Sequence, residues 1–175
     1  MGKYFIIIDM QNDFTYTGDL KNADAVRIIR GIAEKAKELK EQGYKVIATR
    51  DTHNDKYMET QEGKNLPFPH CIKDTKGWEV VDELKPFVDY YVDKPSFGYN
   101  NWDAFFANEL NDVNPEVIEM SGTCTGICVA SNFSILKALF PETPIVVHQN
   151  LCACLNAESH KAAIKVMEVQ QAQIR

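Results

Sequence analysis

The sequence predicts an α/β fold of three layers, α/β/α, with a central parallel sheet in a single domain over residues 1–175. Two patterns predict this fold. Short apolar runs alternate along the chain with stretches of helical periodicity, and this order is typical of right-handed βαβ crossovers. The first run, residues 4–9, is apolar at consecutive positions until Asp9, as is typical of a strand buried on both faces in a parallel sheet.

The remaining elements follow from periodicity and from turn residues. Apolar residues recur at helical spacing between Asn22 and Gln42, and Gly43 ends that helix. The stretch 50–76 has no steady period and is predicted to be a long loop, which in a compact domain is usually functional. The other predicted elements are strands 44–49, 89–92, 117–120 and 144–148, helices 78–84, 102–110, 125–140 and 157–170, and the start of a last strand within 171–175.

Composition limits the kinds of partner. The net charge is −6 and the isoelectric point is about 5.2, which argues against nucleic acid or an anionic membrane as the main partner. The short apolar run that Asp9 interrupts is too short for a signal peptide or a membrane span. The five cysteines form no CxxC pair, so we expect reduced thiols and a cytoplasmic location. The expected kind of partner is a small molecule.

The stretch 116–129 carries the candidate nucleophile. It predicts a strand, a tight turn and the start of a helix, with Thr125 as the N-cap and Cys128 in the first helical turn. Unpaired amides and the positive end of the helix dipole lie in that turn, and both lower the pKa of a cysteine. Cys128 is therefore a candidate nucleophile, and the amides from Cys124 to Cys128 are candidate donors to an oxyanion. The alternative interpretation is that Cys128 is a small buried core residue.

Three more reactive side chains, Asp9, Asp51 and Lys94, stand at the ends of predicted strands, where α/β sheets usually place their sites. Asp9 would be a general base that takes the proton of Cys128 and later delivers it to a leaving amine. Lys94 would pair with Asp9 and stabilise the thiolate. Such a group suits attack on an amide carbonyl, release of ammonia or an amine, and hydrolysis of the thioester. A capping carboxylate and a solvated surface lysine are the alternative interpretations.

The long loop adds candidate metal ligands. Asp51 and His53 are two residues apart on extended backbone, so their side chains can point the same way, and Glu62 and His70 follow. Two imidazoles and two carboxylates suit a divalent ion, with zinc preferred and iron or manganese as alternatives. Glu59 competes with Glu62 for the fourth position. A turn carboxylate beside surface imidazoles is the alternative interpretation.

Together these residues resemble the isochorismatase-like cysteine hydrolases, and among them the nicotinamidases. The resemblance covers nearly the whole chain and rests on the motifs IDMQNDF (8–14), RDTH (50–53), PHC (69–71), KPSF (94–97) and GTCTGICV (122–129). It implies a catalytic triad of Asp9, Lys94 and Cys128. It also implies a cis peptide bond between Thr123 and Cys124, so that the amides of Cys124 and Cys128 face the oxyanion.

The resemblance further implies how a substrate would be held. Phe14 would flank a flat ring, with Phe97, Tyr99 and Trp102 as further wall residues, although all four could instead belong to the core. The metal held by Asp51, His53, Glu62 and His70 would bind a pyridine nitrogen and water. Members of this family often form dimers or tetramers, so a homo-oligomer is expected by analogy.

The preferred prediction is a cysteine amidohydrolase with nicotinamidase activity. Thr52, Gly126 and Asn150 depart from the nicotinamidase pattern and leave the substrate open. The enzymatic alternatives are a hydrolase of another small amide, such as a carbamoyl or ureido compound, and an isochorismatase, although cleavage of a vinyl ether needs no thiol nucleophile. The non-enzymatic alternative is a metal-binding or redox-sensing domain with Cys152 and Cys154 as its thiols.

Overall fold

The structure, a computed structural model, describes all 175 residues and contains one six-stranded sheet in which every strand pair is parallel. The strand order is β3-β2-β1-β4-β5-β6. The strands are β1 Lys3–Ile8, β2 Lys45–Asp51, β3 Tyr90–Lys94, β4 Val117–Thr123, β5 Ile145–Ala153 and β6 Gln173–Ile174. The order reverses between β1 and β4, which makes the carboxyl ends of those two strands the switch point of the sheet.

Helices cover both faces of the sheet. They are α1 Asn12–Thr15, α2 Ala23–Glu41, α3 Gln61–Asn65, α4 Trp102–Asn108, α5 Ala130–Leu139 and α6 Ala157–Val169. Alternation along β1 divides the core, because Phe5 and Ile7 pack with the apolar stripe of α2, whereas Ile6 and Ile8 pack with residues of α4, α5 and α6. The three-layer fold with a central parallel sheet is therefore confirmed.

Several boundaries differ from the sequence prediction. The segment 78–84 forms turns and not a helix, and only Lys85–Phe87 adopts a short 3₁₀ turn. The long loop contains a 3₁₀ turn at Tyr57–Glu59 and then α3, which its polar composition hid. The fifth strand runs to Ala153 and not to His148, because a change of register between Met120 and Gly122 lets it follow β4 to its end.

None of these helices is long and apolar enough to cross a membrane.

Candidate active site

Parallel pairing brings the predicted triad together at the switch point. Asp9 follows β1, Lys94 is the last residue of β3, and Cys128 lies in the turn after β4. Asp9 leaves its strand with a φ of 50°, in the left-handed region that aspartate tolerates better than most residues. Gly122 lies opposite Ile8 in the register of β1 and β4, and a Cβ there would meet the Ile8 carbonyl oxygen at 2.1 Å. A glycine at this position therefore lets the two strands that flank the site approach closely.

Lys94 links the other two members of the triad. Its Nζ lies 2.7 Å from Asp9 Oδ2 and donates to Cys128 Sγ at 3.6 Å, and its side chain is fully buried. Burial lowers the pKa of Lys94, but Asp9, Cys128 and Asp51 raise it further, so the net shift is upward and the ammonium is charged. The solvated surface lysine considered from the sequence is wrong, since this cation lies between buried acidic groups.

The pKa of Cys128 is raised well above its usual value, which is opposite to the sequence prediction. Burial is the largest cause, Asp9 also raises the pKa, and Lys94 only partly opposes them. The Cys128 side chain is therefore a thiol, and a nucleophilic role would require an acceptor for its proton. Asp9 suits the role of acceptor because burial raises its own pKa as well, against the opposing effect of Lys94.

The turn that carries Cys128 also differs from the prediction. Residues Thr125–Val129 form a π-helical turn preceded by a cis peptide bond between Thr123 and Cys124, and Thr125 is not the N-cap. Its hydroxyl instead donates to the Ala153 carbonyl at 2.9 Å and lies 2.9 Å from His160 Nδ1. Thr125 thus attaches the turn to the end of β5 and to α6, a role that its position in the sequence does not reveal.

The four predicted metal ligands, Asp51, His53, Glu62 and His70, form one group whose ligand atoms all lie within 4.8 Å of one another. The Nε2 atoms of His53 and His70 lie 3.0 and 3.3 Å from Asp51 Oδ2, and 3.7 and 3.8 Å from Glu62 Oε1. Glu62, and not the exposed Glu59, is the fourth member. The tertiary structure thus selects between two glutamates that the sequence left as alternatives.

Two details fit this group to a divalent cation. Glu62 Oε1 is buried without a hydrogen-bond partner, and a cation would satisfy it. His70 Nδ1 lies 2.7 Å from the Phe68 carbonyl oxygen, so Nδ1 carries the proton and Nε2 offers its lone pair to the group. Burial raises the pKa of Asp51, but hydrogen bonds with His53 and His70 and the charge of Lys94 lower it more, so this carboxylate is ionised.

A cavity of about 490 Å³ opens over both groups. Its lining includes Cys124, Cys128 and three of the four predicted metal ligands, Asp51, Glu62 and His70. The candidate nucleophile and these four predicted ligands, called the metal group below, therefore face one chamber. Among the predicted wall residues, Phe14 and Phe97 line the cavity as well, and the Phe14 ring centroid lies 5.4 Å from that of His70.

Two predicted wall residues do not contact the cavity. Trp102 is fully buried, and its indole N–H donates to Asn132 Oδ1 at 2.9 Å. Tyr99 packs against Trp102 with ring centroids 5.3 Å apart and is held through its amide by the same Asn132 oxygen. Both aromatics stabilise the packing of the 94–102 segment on α5, so their assignment to the substrate wall is wrong.

Sequence reasoning missed several residues of the site. Leu66, Ile127 and Leu155 supply apolar wall, and residues 19–23 form part of the rim. Leu66 is the first apolar residue after the polar run 59–65 of the long loop, and this signal could have identified it. The other lining residues come together only through the chain's folding and have no local signature.

Gln11 and Thr49 are buried beneath the site and form hydrogen bonds with two of its residues. The Gln11 amide donates to the Asp51 carbonyl at 2.9 Å and accepts from the Asp51 amide at 2.8 Å, so it pairs with the backbone of a metal-group residue. The Thr49 hydroxyl donates to Asp9 Oδ1 at 2.6 Å. Both side chains are fully buried, and both fix the position of a reactive carboxylate.

Comparison with known proteins finds similar proteins that match nearly the whole chain. The family model described as Isochorismatase domain matches residues 3–175. An uncharacterized isochorismatase family protein, PncA, from Bacillus subtilis is 30% identical over 173 residues, which cover 94% of this chain and 93% of that protein. The crystal structure of a pyrazinamidase/nicotinamidase from Streptococcus mutans is 25% identical, with a TM-score of 0.85, and covers 99% of this chain and 100% of that one.

A more distant structure shows the same fold. Pyrazinamidase of Pyrococcus horikoshii, crystallised in complex with zinc, is 20% identical, with a TM-score of 0.83, and covers 100% of this chain and 99% of that one.

The fold, the site and these relatives define the class of protein: the chain is an amide-hydrolysing enzyme. It belongs to the isochorismatase family. The alternative of a non-catalytic metal-binding or redox-sensing domain is therefore wrong.

Proposed function

We propose that this enzyme is a cysteine amidohydrolase that converts nicotinamide and water to nicotinate and ammonia through a thioester on Cys128. The observation that carries the proposal is the shared chamber. Cys128 lines one cavity with aromatic and apolar walls, together with Asp51, Glu62 and His70 of the four-donor metal group. Lys94 of the buried Asp9–Lys94 pair contacts the Cys128 sulfur from behind this wall. A flat, largely apolar ring with one ring nitrogen and one amide matches this cavity. The ring suits the aromatic and apolar walls, the ring nitrogen suits the metal group, and the amide suits Cys128.

The first half-reaction follows from the geometry of the triad. Cys128 Sγ attacks the amide carbonyl carbon while its proton passes to Asp9, because the raised pKa of the thiol requires an acceptor. Lys94, which contacts both groups, stabilises the negative charge as it moves from the carboxylate to the sulfur. The backbone amides of Cys124 and Cys128 would bind the oxyanion. Asp9 then protonates the nitrogen, the C–N bond breaks, and ammonia leaves.

The second half-reaction hydrolyses the thioester and frees Cys128. Water attacks the thioester carbonyl, Asp9 takes a proton from that water, and the C–S bond breaks. The acid leaves, and Cys128 regains its proton. Lys94 is charged throughout and needs no proton transfer of its own.

Asp51, His53, Glu62 and His70 would hold a divalent metal, with zinc preferred and iron or manganese as alternatives. When bound, the metal supplies a coordination site for the ring nitrogen and for water, which orients the amide towards Cys128. Phe14, which lies against His70 at the cavity wall, would stack on the ring and restrict its tilt. These residues therefore bind and orient the substrate, whereas the triad performs the chemistry.

The nucleophile is tested with Cys128→Ala. We expect ammonia release from nicotinamide to fall by about three orders of magnitude or more, since other nucleophile deletions have effects of that size or larger. Cys152→Ala is the matched control, because it removes another buried thiol that does not line the active-site cavity. Undiminished turnover by Cys128→Ala in a folded protein would exclude the thioester mechanism.

The substrate class is tested by ammonia release from nicotinamide, pyrazinamide and small ureido amides, with metal analysis of the same sample. We expect about one equivalent of metal per chain, lost in His53→Ala, and preference for the pyridine and pyrazine amides. Metal-free protein that hydrolyses the ureido amides and spares nicotinamide would replace the proposal with the carbamoyl or ureido alternative.

A further inference from the structure

The structure brings together two thiols that the triad does not use. Cys124 Sγ and Cys154 Sγ lie 2.7 Å apart. The cause is the register of the sheet: Thr123 of β4 pairs with Ala153 of β5, and each cysteine is the next residue along its chain. Cys152 and Cys154, the thiol pair considered from the sequence, are not the pair in contact.

Small reactants can approach this pair from two sides. Cys124 is half-buried and lines the active-site cavity. Cys154 is 5% exposed and lines a second cavity of about 370 Å³, between the end of β5, the start of α6 and the side of α2. The pair therefore forms part of the wall between the two cavities.

We propose that Cys124 and Cys154 are a reversible dithiol–disulfide pair, oxidised by peroxide, whose closure disturbs the turn that carries Cys128. In the first step one of the two sulfurs attacks a peroxide oxygen, the O–O bond breaks, and a sulfenic acid and one water form from hydrogen peroxide. In the second step the other sulfur attacks the sulfenic sulfur, the S–O bond breaks and a second water leaves. Two electrons pass from the two thiols to the peroxide.

Proximity, and not thiolate content, favours this reaction. Burial raises the pKa of Cys124 to about 12, with a further contribution from the contact with Cys154, so Cys124 is protonated at neutral pH. The sulfurs need to move by less than about 1 Å to reach the disulfide distance of about 2.05 Å. The second step is therefore intramolecular between groups already in contact, and it would trap a sulfenic acid soon after it forms.

The pair is connected to the nucleophile through the backbone. The Cys124 carbonyl accepts hydrogen bonds from the Ile127 amide at 3.0 Å and the Val129 amide at 3.1 Å, on either side of Cys128. The Cys154 carbonyl is held by Asn22 Nδ2 at 2.8 Å, which ties it to the N-cap of α2. A covalent link between the two sulfurs would pull on Cys124 and shift the turn. This effect on activity rests on the proposed function, whereas formation of the bond does not.

Bond formation is tested in Cys128→Ala, which removes the third reactive thiol from the site. The protein is treated with hydrogen peroxide, alkylated with iodoacetamide and mapped by mass spectrometry without reduction. We expect a Cys124–Cys154 peptide link that dithiothreitol removes. Free, alkylated Cys124 and Cys154 after treatment, or a link from Cys124 to Cys152, would overturn the proposal, even if the enzyme hydrolyses no nicotinamide.

The effect on activity is tested with Cys154→Ala or Cys154→Ser, with Cys152→Ala as the matched control. In wild type and in Cys152→Ala, we expect a phase of reversible inactivation whose rate matches the appearance of the linked peptide. The Cys154 variants should lack that phase and lose activity several-fold more slowly. Identical rates of reversible inactivation in wild type and both Cys154 variants would show that the link does not control the turn.

Discussion

At the scale of single residues, the site depends on how Asp9 is held. One carboxylate oxygen contacts the Lys94 ammonium at 2.7 Å and the other accepts the Thr49 hydroxyl at 2.6 Å. Thr49 also accepts the Asp9 amide at 3.1 Å, so a single hydroxyl fixes both the backbone and the side chain of the proposed base. Burial raises the pKa of Asp9, and the Thr49 hydrogen bond is among the contacts that lower it. Thr49 is therefore a positioning residue for proton transfer.

Thr49→Val keeps the shape of the side chain and removes this hydrogen bond. We expect kcat/KM to fall about ten- to a hundredfold, since a hydrogen bond to a charged group contributes about 1.5–3 kcal/mol. Loss of the donor raises the pKa of Asp9, so the acidic limb of the pH profile should move to higher pH. The measurement is the pH dependence of kcat/KM for ammonia release.

Thr49→Ser is the matched control, because it keeps the hydroxyl and should restore both the rate and the pH profile to near wild type. If Thr49→Val lowers activity but leaves the acidic limb where it was, Thr49 acts only through packing and the assigned role is wrong.

At the scale of elements, the short α3 helix decides which glutamate joins the metal group. The Thr60 hydroxyl accepts the Gly63 amide at 2.9 Å and so caps α3, and Glu62 lies in its first turn. The Tyr57 ring of the preceding 3₁₀ turn packs against both metal-group imidazoles, at centroid distances of 4.7 and 5.0 Å. The two short elements thus place Glu62 and enclose the histidines.

Gly63→Ala should displace this unit. A Cβ at position 63 would meet the Tyr57 carbonyl oxygen at 2.1 Å and Met58 Cα at 2.9 Å, and both are backbone atoms that cannot rotate away. We expect zinc affinity, measured by competition with a chromogenic chelator, to fall about tenfold or more, in the range found for residues that support metal ligands.

Gly126→Ala is the matched control for that experiment, because the nearest atom to a Cβ there lies at 3.6 Å, an ordinary contact distance. Equal zinc affinity in Gly63→Ala and wild type would show that Glu62 does not depend on the placement of α3, or is not a ligand.

At the scale of the whole molecule, one carboxylate ties the start of the chain to the opposite end of the sheet from the site. Asp112, which is 8% exposed, accepts the Gly2 amide at 2.5 Å, the Tyr4 hydroxyl at 2.9 Å and the Asn114 amide at 3.1 Å. Burial raises the pKa of Asp112, but these donors lower it more, so the net shift is downward.

A lowered pKa stabilises the fold only where the carboxylate is ionised. The contribution of Asp112 should be fully present above the unfolded pKa of about 4 and should disappear as the pH falls through the lower folded value. Asp112→Asn should therefore lower the thermal unfolding midpoint near neutral pH, with a difference from wild type that shrinks towards pH about 3. A difference that stays constant across this range would exclude an ionic contribution.

The assembly of the whole molecule remains a prediction. The expected homo-oligomer rests on the resemblance to a family that often forms dimers or tetramers, and size-exclusion chromatography with light scattering would test it.

Much of the fold and of the site could be predicted from the sequence. The continuous apolar run before Asp9 indicated a strand of a parallel sheet, because burial on both faces leaves apolar residues at consecutive positions. The helical period of α2 indicated a helix that covers this sheet. Asp9, Asp51 and Lys94 could be placed in one site because the carboxyl ends of parallel strands share one edge of a sheet. The fold class, the family and the candidate reactive groups could therefore be predicted without a structure.

The environment and the partners of those groups, in contrast, depend on how the chain packs in three dimensions. Burial reversed the expected shift in the pKa of Cys128, since desolvation depends on everything packed around the sulfur and not on its position in a turn. Packing placed Trp102 in the core and Tyr99 against it, away from the substrate wall, and the cap of α3 selected Glu62 over Glu59. The register of β4 and β5 paired Cys124 with Cys154, residues 30 positions apart. Such contacts between distant segments leave no local pattern in the chain, because they depend on register and packing across the whole sheet.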